Sequence, residues 1–273
     1  MVIETARIKM KPFRLPKNLF GCLLCLSLVH PAAAGLKIYY LRHAEVGANV
    51  EKEWAATPTN AWPLYVGNPG IFTPKGEVQV VNATEKLKQF HFDFLAVSPV
   101  WRARQTVLPY LKQTRQKAEI WPELAESGGF ISILHGQPLP PPGTNLYARD
   151  KVSVPADEKK FFPLRQDGRL LFDFDHENLQ AAADAVAVSG RTVSLLRQRF
   201  GGSEKSILLA GHGNNGRLLL HALLPESDAW KTRLANTGLW MVEEQPDGSF
   251  KLRLFNDVPC GSDGQPGKTS PAL

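Results

Sequence analysis

The sequence is poor in cysteine, with three in 273 residues. That excludes a scaffold stapled by disulfides. It also lacks a membrane-spanning apolar run. The candidate, Leu19 to Val29 (LFGCLLCLSLV), has 11 residues, and a helix needs about 20 to cross a bilayer. Internal repeats are missing too. Charge of one sign is only mildly in excess: 32 Lys+Arg stand against 26 Asp+Glu, a net of +6. Hydrophobic residues at 43% and charged residues at 21% exclude a wholly disordered, collagenous or coiled-coil chain.

What is there begins with a targeting pattern. Arg7, Lys9, Lys11, Arg14 and Lys17 form a basic stretch ahead of the apolar run, and Ala32-Ala33-Ala34 follows it before Gly35. A basic region, a short apolar core and an A-x-A site are the marks of a secretory signal. We therefore expect residues 1–34 to be removed, no stable membrane anchor to remain, and the product to be periplasmic or secreted. Cleavage takes Cys22 and Cys25 and leaves Cys260 alone, so no internal disulfide and no structural zinc site are expected. It also leaves 27 Lys+Arg against 25 Asp+Glu, a net of +2. Nucleic acid, which the raw charge suggests, then has neither a motif nor a basic stripe to bind.

The remaining chain alternates strand and helix signals. Strands are expected at Leu36 to Leu41, Phe92 to Val97, Ala118 to Leu124 and Ser206 to Ala210, with two more at Gly238 to Glu243 and Phe250 to Phe255. Helices are expected from Thr73-Pro74 to Phe90, from Ser98-Pro99 to about Lys112, from about Glu177 to Phe200, and from Asn214 to Leu224. This is an α/β pattern with a mainly parallel central sheet and helices on both faces. Residues 128–176, with PLPPPG at 138–143, break the rhythm and read as an inserted cap over the strand ends. The domain is expected over 35–258, with a flexible Gly/Pro/Ser-rich tail at 259–273.

Three blocks put cationic side chains at the C-terminal end of a strand, where α/β sheets bind ligands. They are Arg42-His43-Ala44-Glu45, Ser98 to Thr106 with Arg102, and Gly211-His212-Gly213 opening a helix. Guanidinium forks and helix amides suit a tetrahedral dianion. Arg104, two residues past Arg102, is expected at the rim, and Glu45 in the loop rather than as an acid. His135, His176 and His221 are not expected to act in catalysis.

These blocks resemble those of the histidine phosphatase superfamily, in its phosphoglycerate mutase-like branch. Arg42 to Asn49 is similar to RHGETxxN, with Ala44 and Val46 as departures. Phe72 to Gln79 resembles LTxxGxxQ, Ser98 to Thr106 resembles SPxxRAxQT, and Leu124-Ala125-Glu126 resembles L-x-E. Gly211-His212-Gly213 and Asn236-Thr237 complete the order. The resemblance implies a three-layer sandwich and a phosphomonoester hydrolase acting on a small phosphorylated substrate. His43 is implied as the nucleophile that becomes phosphohistidine. Arg42, Arg102, His212 and Asn49 are implied as phosphate ligands, and His212 as a catalytic group. Glu126 is implied as proton donor, with Glu123 the alternative. No metal or other cofactor is implied, because two arginines and a second histidine supply the charge. A phosphomutase of the same fold and an inactive phosphate-binding protein are the competing expectations.

Overall fold

The computed structural model describes residues 35–126, 154–165 and 183–261. The expected signal (1–34), the PLPPPG stretch, His135, His176 and nearly all of the tail lie outside the described residues.

The first strand, β1, is Lys37–Arg42. Its alternation sends Ile38 and Tyr40 to one face and Tyr39 and Leu41 to the other, and all four are buried. A strand that is apolar on both faces belongs at the centre of a covered sheet. Helix α1 (Gly47–Val50) is a single turn. Helix α2 (Pro74–Leu87) starts where expected: Thr73 Oγ1 accepts from the Gly76 N–H at 2.9 Å, and Pro74 opens the first turn. Strand β2 (Phe94–Val97), helix α3 (Trp101–Thr114) and strand β3 (Glu119–Ile120) follow. The third strand is much shorter than the expected 118–124. Pro122 has no N–H for the ladder and opens a 3-10 turn over Pro122–Leu124 instead. Then come α4 (Ala183–Phe200), β4 (Ser206–Gly211), α5 (Gly213–Leu223), β5 (Leu239–Glu244), β6 (Phe250–Phe255) and β7 (Val258–Pro259).

The seven strands run in the order β3-β2-β4-β1-β5-β6-β7. The first four are parallel, while β5 to β7 are antiparallel. Pro246-Asp247-Gly248, with Gly248 at φ 79, makes the tight turn between β5 and β6. Residues of α2 and α3 (Leu87, Ala103, Val107, Leu111) fill one face of the sheet. Residues of α4 and α5 (Leu196, Phe200, Leu219, Leu220, Leu223) fill the other. Three layers result, and each buried Leu or Phe contributes roughly 1.5–3 kcal/mol.

Residues 154–165 run beside β3, where the Phe161 and Pro163 carbonyls accept from the Ala118 and Ile120 N–H at 2.9 Å each. Leu164 forms a parallel bridge with Ile120. The outer edge of β3 is thereby satisfied rather than left open.

Register places the functional blocks. Arg42 pairs with Gly211 across β1 and β4, so the next residue on each strand is a histidine. Val97 pairs with Ala210, which puts Ser98 beside them. Antiparallel β5 begins at this same edge, because Leu239 pairs with Leu41. The loop before β5 therefore closes the remaining side.

Candidate active site

His43 and His212 are both buried, with ring centroids 5.2 Å apart. The His43 Nδ1–H donates to the Ala44 carbonyl at 2.7 Å, and Arg102 Nε donates to His43 Nε2 at 3.3 Å. An N–H from a guanidinium can only meet a bare ring nitrogen, so Nδ1 carries the proton and Nε2 the lone pair. Burial, then the positive charges of Arg102 and Arg42, hold the His43 pKa well below 6.5. The ring is neutral at neutral pH, with Nε2 facing the site.

Burial first, then Arg102, also depress the pKa of His212. Its Nε2 lies 2.8 Å from Ser98 Oγ. That hydroxyl also accepts from the Val100 N–H at 3.2 Å. The Glu126 carboxylate on the other side of the ring favours a proton on Nδ1, which leaves Nε2 to accept from the Ser98 hydroxyl. The proton of His212 then sits on Nδ1, which is buried, has no hydrogen-bond partner among the described residues and lies 3.9 Å from Glu126 Oε2. Arg42 offers a second such donor. Its Nη1–H donates to the Leu234 carbonyl at 2.6 Å, whereas its Nε is buried and unpartnered. Burial, then repulsion from Arg233, lower the Arg42 pKa to about 10. A Cβ on Gly213 would stand 3.2 Å from Arg42 Nε, so the glycine lets the guanidinium lie against the start of α5.

The loop before β5 frames these groups. Asn236 Nδ2–H donates to the His43 carbonyl at 3.1 Å and to Asn49 Oδ1 at 3.2 Å. Asn49 Oδ1 also accepts from the Val46 N–H at 3.1 Å. Asn49 thus ties the loop after β1 to the loop before β5. Thr237 N–H donates to the Arg42 carbonyl at 3.1 Å, and Lys86 of α2 donates to the Thr237 carbonyl at 2.7 Å.

Two motif residues have roles that the sequence alone did not assign. Thr106 Oγ1 accepts from the Ala44 N–H at 2.9 Å and donates to the Arg102 carbonyl at 2.7 Å, so one hydroxyl ties the loop after β1 to α3. Gln79 Oε1 accepts from the Glu45 N–H at 2.8 Å. Around Glu45, Thr73 Oγ1 donates at 2.9 Å and Lys75 Nζ at 3.0 Å. Glu45 is a loop anchor, as expected.

The two acid candidates differ in their surroundings. Glu123 is buried and takes two hydrogen bonds from Arg165, at 2.7 and 3.0 Å. Glu126 has a side chain 28% exposed and accepts from the Asn215 N–H at 3.3 Å. Glu126 faces the histidines, and Glu123 holds the insert. The amide of Asn215 is therefore spent on this carboxylate, not kept for a ligand. Arg104 corrects another expectation. It is 3% exposed, lies 3.5 Å from Glu158 and donates from Nε to the Pro99 carbonyl at 3.1 Å. Residues 154–165 cover what would otherwise be its open side. His221 packs against Trp230 with centroids 4.8 Å apart and planes tilted by 46°.

Ligand atoms of His43, Glu126 and His212 lie within 4.8 Å of one another, a spacing that could hold a metal ion. Arg42 and Arg102 beside them oppose a cation and favour an anion. Chemically, the arrangement offers a bare nucleophilic nitrogen, two buried donors without partners, a second guanidinium and a reachable carboxylate.

The model of the histidine phosphatase superfamily (branch 1) matches residues 38–130, about a third of the chain. That stretch holds Arg42, His43, Asn49, Arg102 and Glu126. Among solved structures, a candidate alpha-ribazole-5'-P phosphatase from Escherichia coli is similar at 18% identity and a TM-score of 0.50. The match covers 81% of this chain and 96% of that one. A mycobacterial hydrolase is similar at 17% identity and a TM-score of 0.51, over 81% and 98%. These likenesses establish the fold. No curated protein matches the sequence. The family match spans the stretch that holds the Arg42-His43 loop, Arg102 and Glu126, and the solved structures show the fold.

Proposed function

We propose that this chain is a phosphomonoester hydrolase of the histidine phosphatase superfamily, working through a phosphohistidine on His43. The observation that carries the proposal is a pair of buried donors, Arg42 Nε and His212 Nδ1, that have no hydrogen-bond partner among the described residues and stand beside the bare Nε2 of His43. Buried donors are costly to leave unpaired. A phosphate group presents several acceptor oxygens and accounts for both.

The substrate's phosphate sits against Arg42, Arg102 and His212, with the side-chain amide of Asn49 at the edge. His43 Nε2 attacks phosphorus, the P–O bond to the alcohol breaks, and Glu126 gives its proton to the leaving oxygen. Water then attacks the phosphohistidine. Glu126, now a carboxylate, takes a proton from that water, and inorganic phosphate departs. The equatorial oxygens gather charge in both steps, and fixed cations there supply most of the acceleration. The charge a metal would bring is supplied by Arg42 and Arg102, so activity is expected to survive chelation.

Residues 1–34 are proposed to direct the enzyme out of the cytoplasm, toward a small phosphorylated substrate met there. Removing them takes no residue of the described fold, because β1 begins at Lys37 and Leu36 is already buried.

The test is a phosphate-labelling experiment. Rapid acid-free quenching during turnover of a labelled phosphoester should trap label on the protein, stable to base and labile to acid. His43→Ala should trap none and lose turnover. Undiminished hydrolysis in that variant would remove His43 as nucleophile, and loss of wild-type activity with chelator would remove the metal-free mechanism.

A further inference from the structure

Tyr40 stands two residues before Arg42 on β1 and so faces the same side of the sheet. Its ring is fully buried and stacked on Trp240, with centroids 5.1 Å apart and planes 10° from parallel. Two glycines make room for it. A Cβ on Gly216 would lie 2.4 Å from Tyr40 Cε1, and one on Gly211 would lie 2.2 Å from the hydroxyl. The Gly211 gap serves the phenol end alone, where an aliphatic residue at position 40 would place no atom. The chain thus makes room for a phenol directly beneath its candidate active site.

The hydroxyl accepts from the His212 N–H at 2.7 Å, and lies 2.9 Å from Asn215 Oδ1 and 3.0 Å from the His212 carbonyl. A phenol has one proton to give. The Asn215 Nδ2–H is committed to the Glu123 carbonyl, so Oδ1 faces the phenol and can only accept, and at 2.9 Å it is the nearer acceptor for that proton. That orients the buried amide of Asn215, whose Nδ2–H donates to the Glu123 carbonyl at 2.9 Å. The backbone N–H of the same residue meets Glu126 Oε1. One chain of hydrogen bonds therefore runs from the nucleophile strand, past the His212 backbone, to both ends of the segment 123–126. Burial also pushes the Tyr40 pKa well above 10, so it remains a donor at any working pH.

We propose that Tyr40 and Asn215 are positioning residues for Glu126, fixing where its carboxyl meets the leaving oxygen. The proposal rests on Glu126 as proton donor. A phenylalanine at 40 would fill the ring's space equally well. What it would lose is the link from β1 to Asn215, and through Asn215 the hold on the acid.

The experiment compares the full chain with Tyr40→Phe, Asn215→Ser and Glu126→Gln. Each is assayed on an aryl phosphate with a good leaving group, p-nitrophenyl phosphate, and on an alkyl phosphate, ethyl phosphate. The quantity read is kcat/KM, which reports the step that breaks the P–O bond. A good leaving group departs without a proton and a poor one does not, so loss of the acid shows mainly on the alkyl ester. Tyr40→Phe and Asn215→Ser should each lose kcat/KM on the alkyl ester about tenfold more than on the aryl ester, within the roughly 10²–10⁴-fold range of acid catalysis. Adding either change to Glu126→Gln should bring no further selective loss. Near-UV circular dichroism confirms the fold, and Asn215→Ser carries the test if Tyr40→Phe does not fold. Equal losses on both esters, or no loss in a folded variant, would overturn the positioning role. If Glu126→Gln itself shows no selectivity, the donor assignment fails and the positioning role with it. That outcome is distinct from a selective Glu126→Gln beside an indifferent Tyr40→Phe.

Discussion

Glu123 and Glu126 lie three residues apart, yet replacing each by glutamine should have opposite consequences. Glu123 and Arg165 have side chains only 6% and 8% exposed, and they share two hydrogen bonds of 2.7 and 3.0 Å. Arg165 also lies over the Trp121 ring, 5.3 Å from its centroid. Glu123→Gln removes the charge that compensates Arg165 while keeping one oxygen that can accept. Breaking a buried pair from one side costs roughly 3–5 kcal/mol, and the surviving acceptor puts this case near the low end. For a domain of this size that lowers Tm by roughly 6–12 °C. Glu126 is more open, and water can solvate a glutamine there, so Glu126→Gln should change stability by no more than about 0.5 kcal/mol. The same change should lower kcat/KM on an alkyl phosphate by roughly 10²–10⁴-fold. Thermal unfolding and steady-state kinetics on the two variants, run in one buffer, make the comparison. A Glu123→Gln protein of wild-type stability that has lost turnover, beside an active Glu126→Gln, would exchange the two roles and refute the assignment drawn from their geometry.

The other expectations concern ligand, pH and export. Inorganic phosphate should raise Tm, because the two unpartnered donors gain acceptors; at a hundredfold excess over its Kd the stabilisation is about 2.7 kcal/mol, and no shift at high phosphate would count against an anion pocket. His43 and His212 both have depressed pKa values, so the unfolded chain binds protons that the native one refuses. Their contribution to stability is complete above pH 6.5 and is lost as pH falls below it, by up to about 1.4 kcal/mol per pH unit for each histidine; urea unfolding at pH 7 and pH 5.5 reads this, and a flat profile in the wild type that matches His212→Asn would contradict it. Expression of the full chain in a Gram-negative host should yield an extracytoplasmic product whose N-terminal residue is Gly35, and recovery of uncleaved protein from the cytosol would reject the export signal.

The sheet and the anion-binding blocks were legible because they are local. LKIYYL and SILLA are each followed two residues on by a histidine, and parallel pairing of two such strands leaves little choice about where the histidines meet. Thr73-Pro74 signals its own helix through the capping oxygen and the proline behind it. Pro246-Asp247-Gly248 is a turn signal that could have marked the antiparallel hairpin of β5 and β6. The choice between Glu123 and Glu126 was not legible, because it depends on Arg165, some forty residues further on and inside the insert. Arg104 was misplaced for the same cause: its spacing from Arg102 does turn it away from the site, but Glu158 covers it from that side. Tyr40 reads in sequence as one more apolar strand residue. Its hydroxyl gains meaning only beside Gly211 and Gly216, which lie on a strand and a helix far along the chain.

Charge shows the same division between bulk and place. The net +6 of the whole chain says little about the ligand, since much of it resides in the first 34 residues. The site instead collects Arg42 and Arg102 near two buried imidazoles, where both work against protonation of the rings. An imidazolium at position 43 would have no lone pair on Nε2 and could not attack phosphorus. The arginines proposed to hold the phosphate therefore also keep Nε2 of His43 bare before any phosphate arrives. When the dianion binds, it offsets that field. The bias against protonation is then weakest while phosphorus is within reach of Nε2. A nucleophile with an unperturbed histidine pKa would lose activity from just below neutrality. In this site the acid limb of kcat/KM should fall well under pH 6.5, and moving Arg102 to glutamine should shift that limb upward as well as weaken phosphate binding.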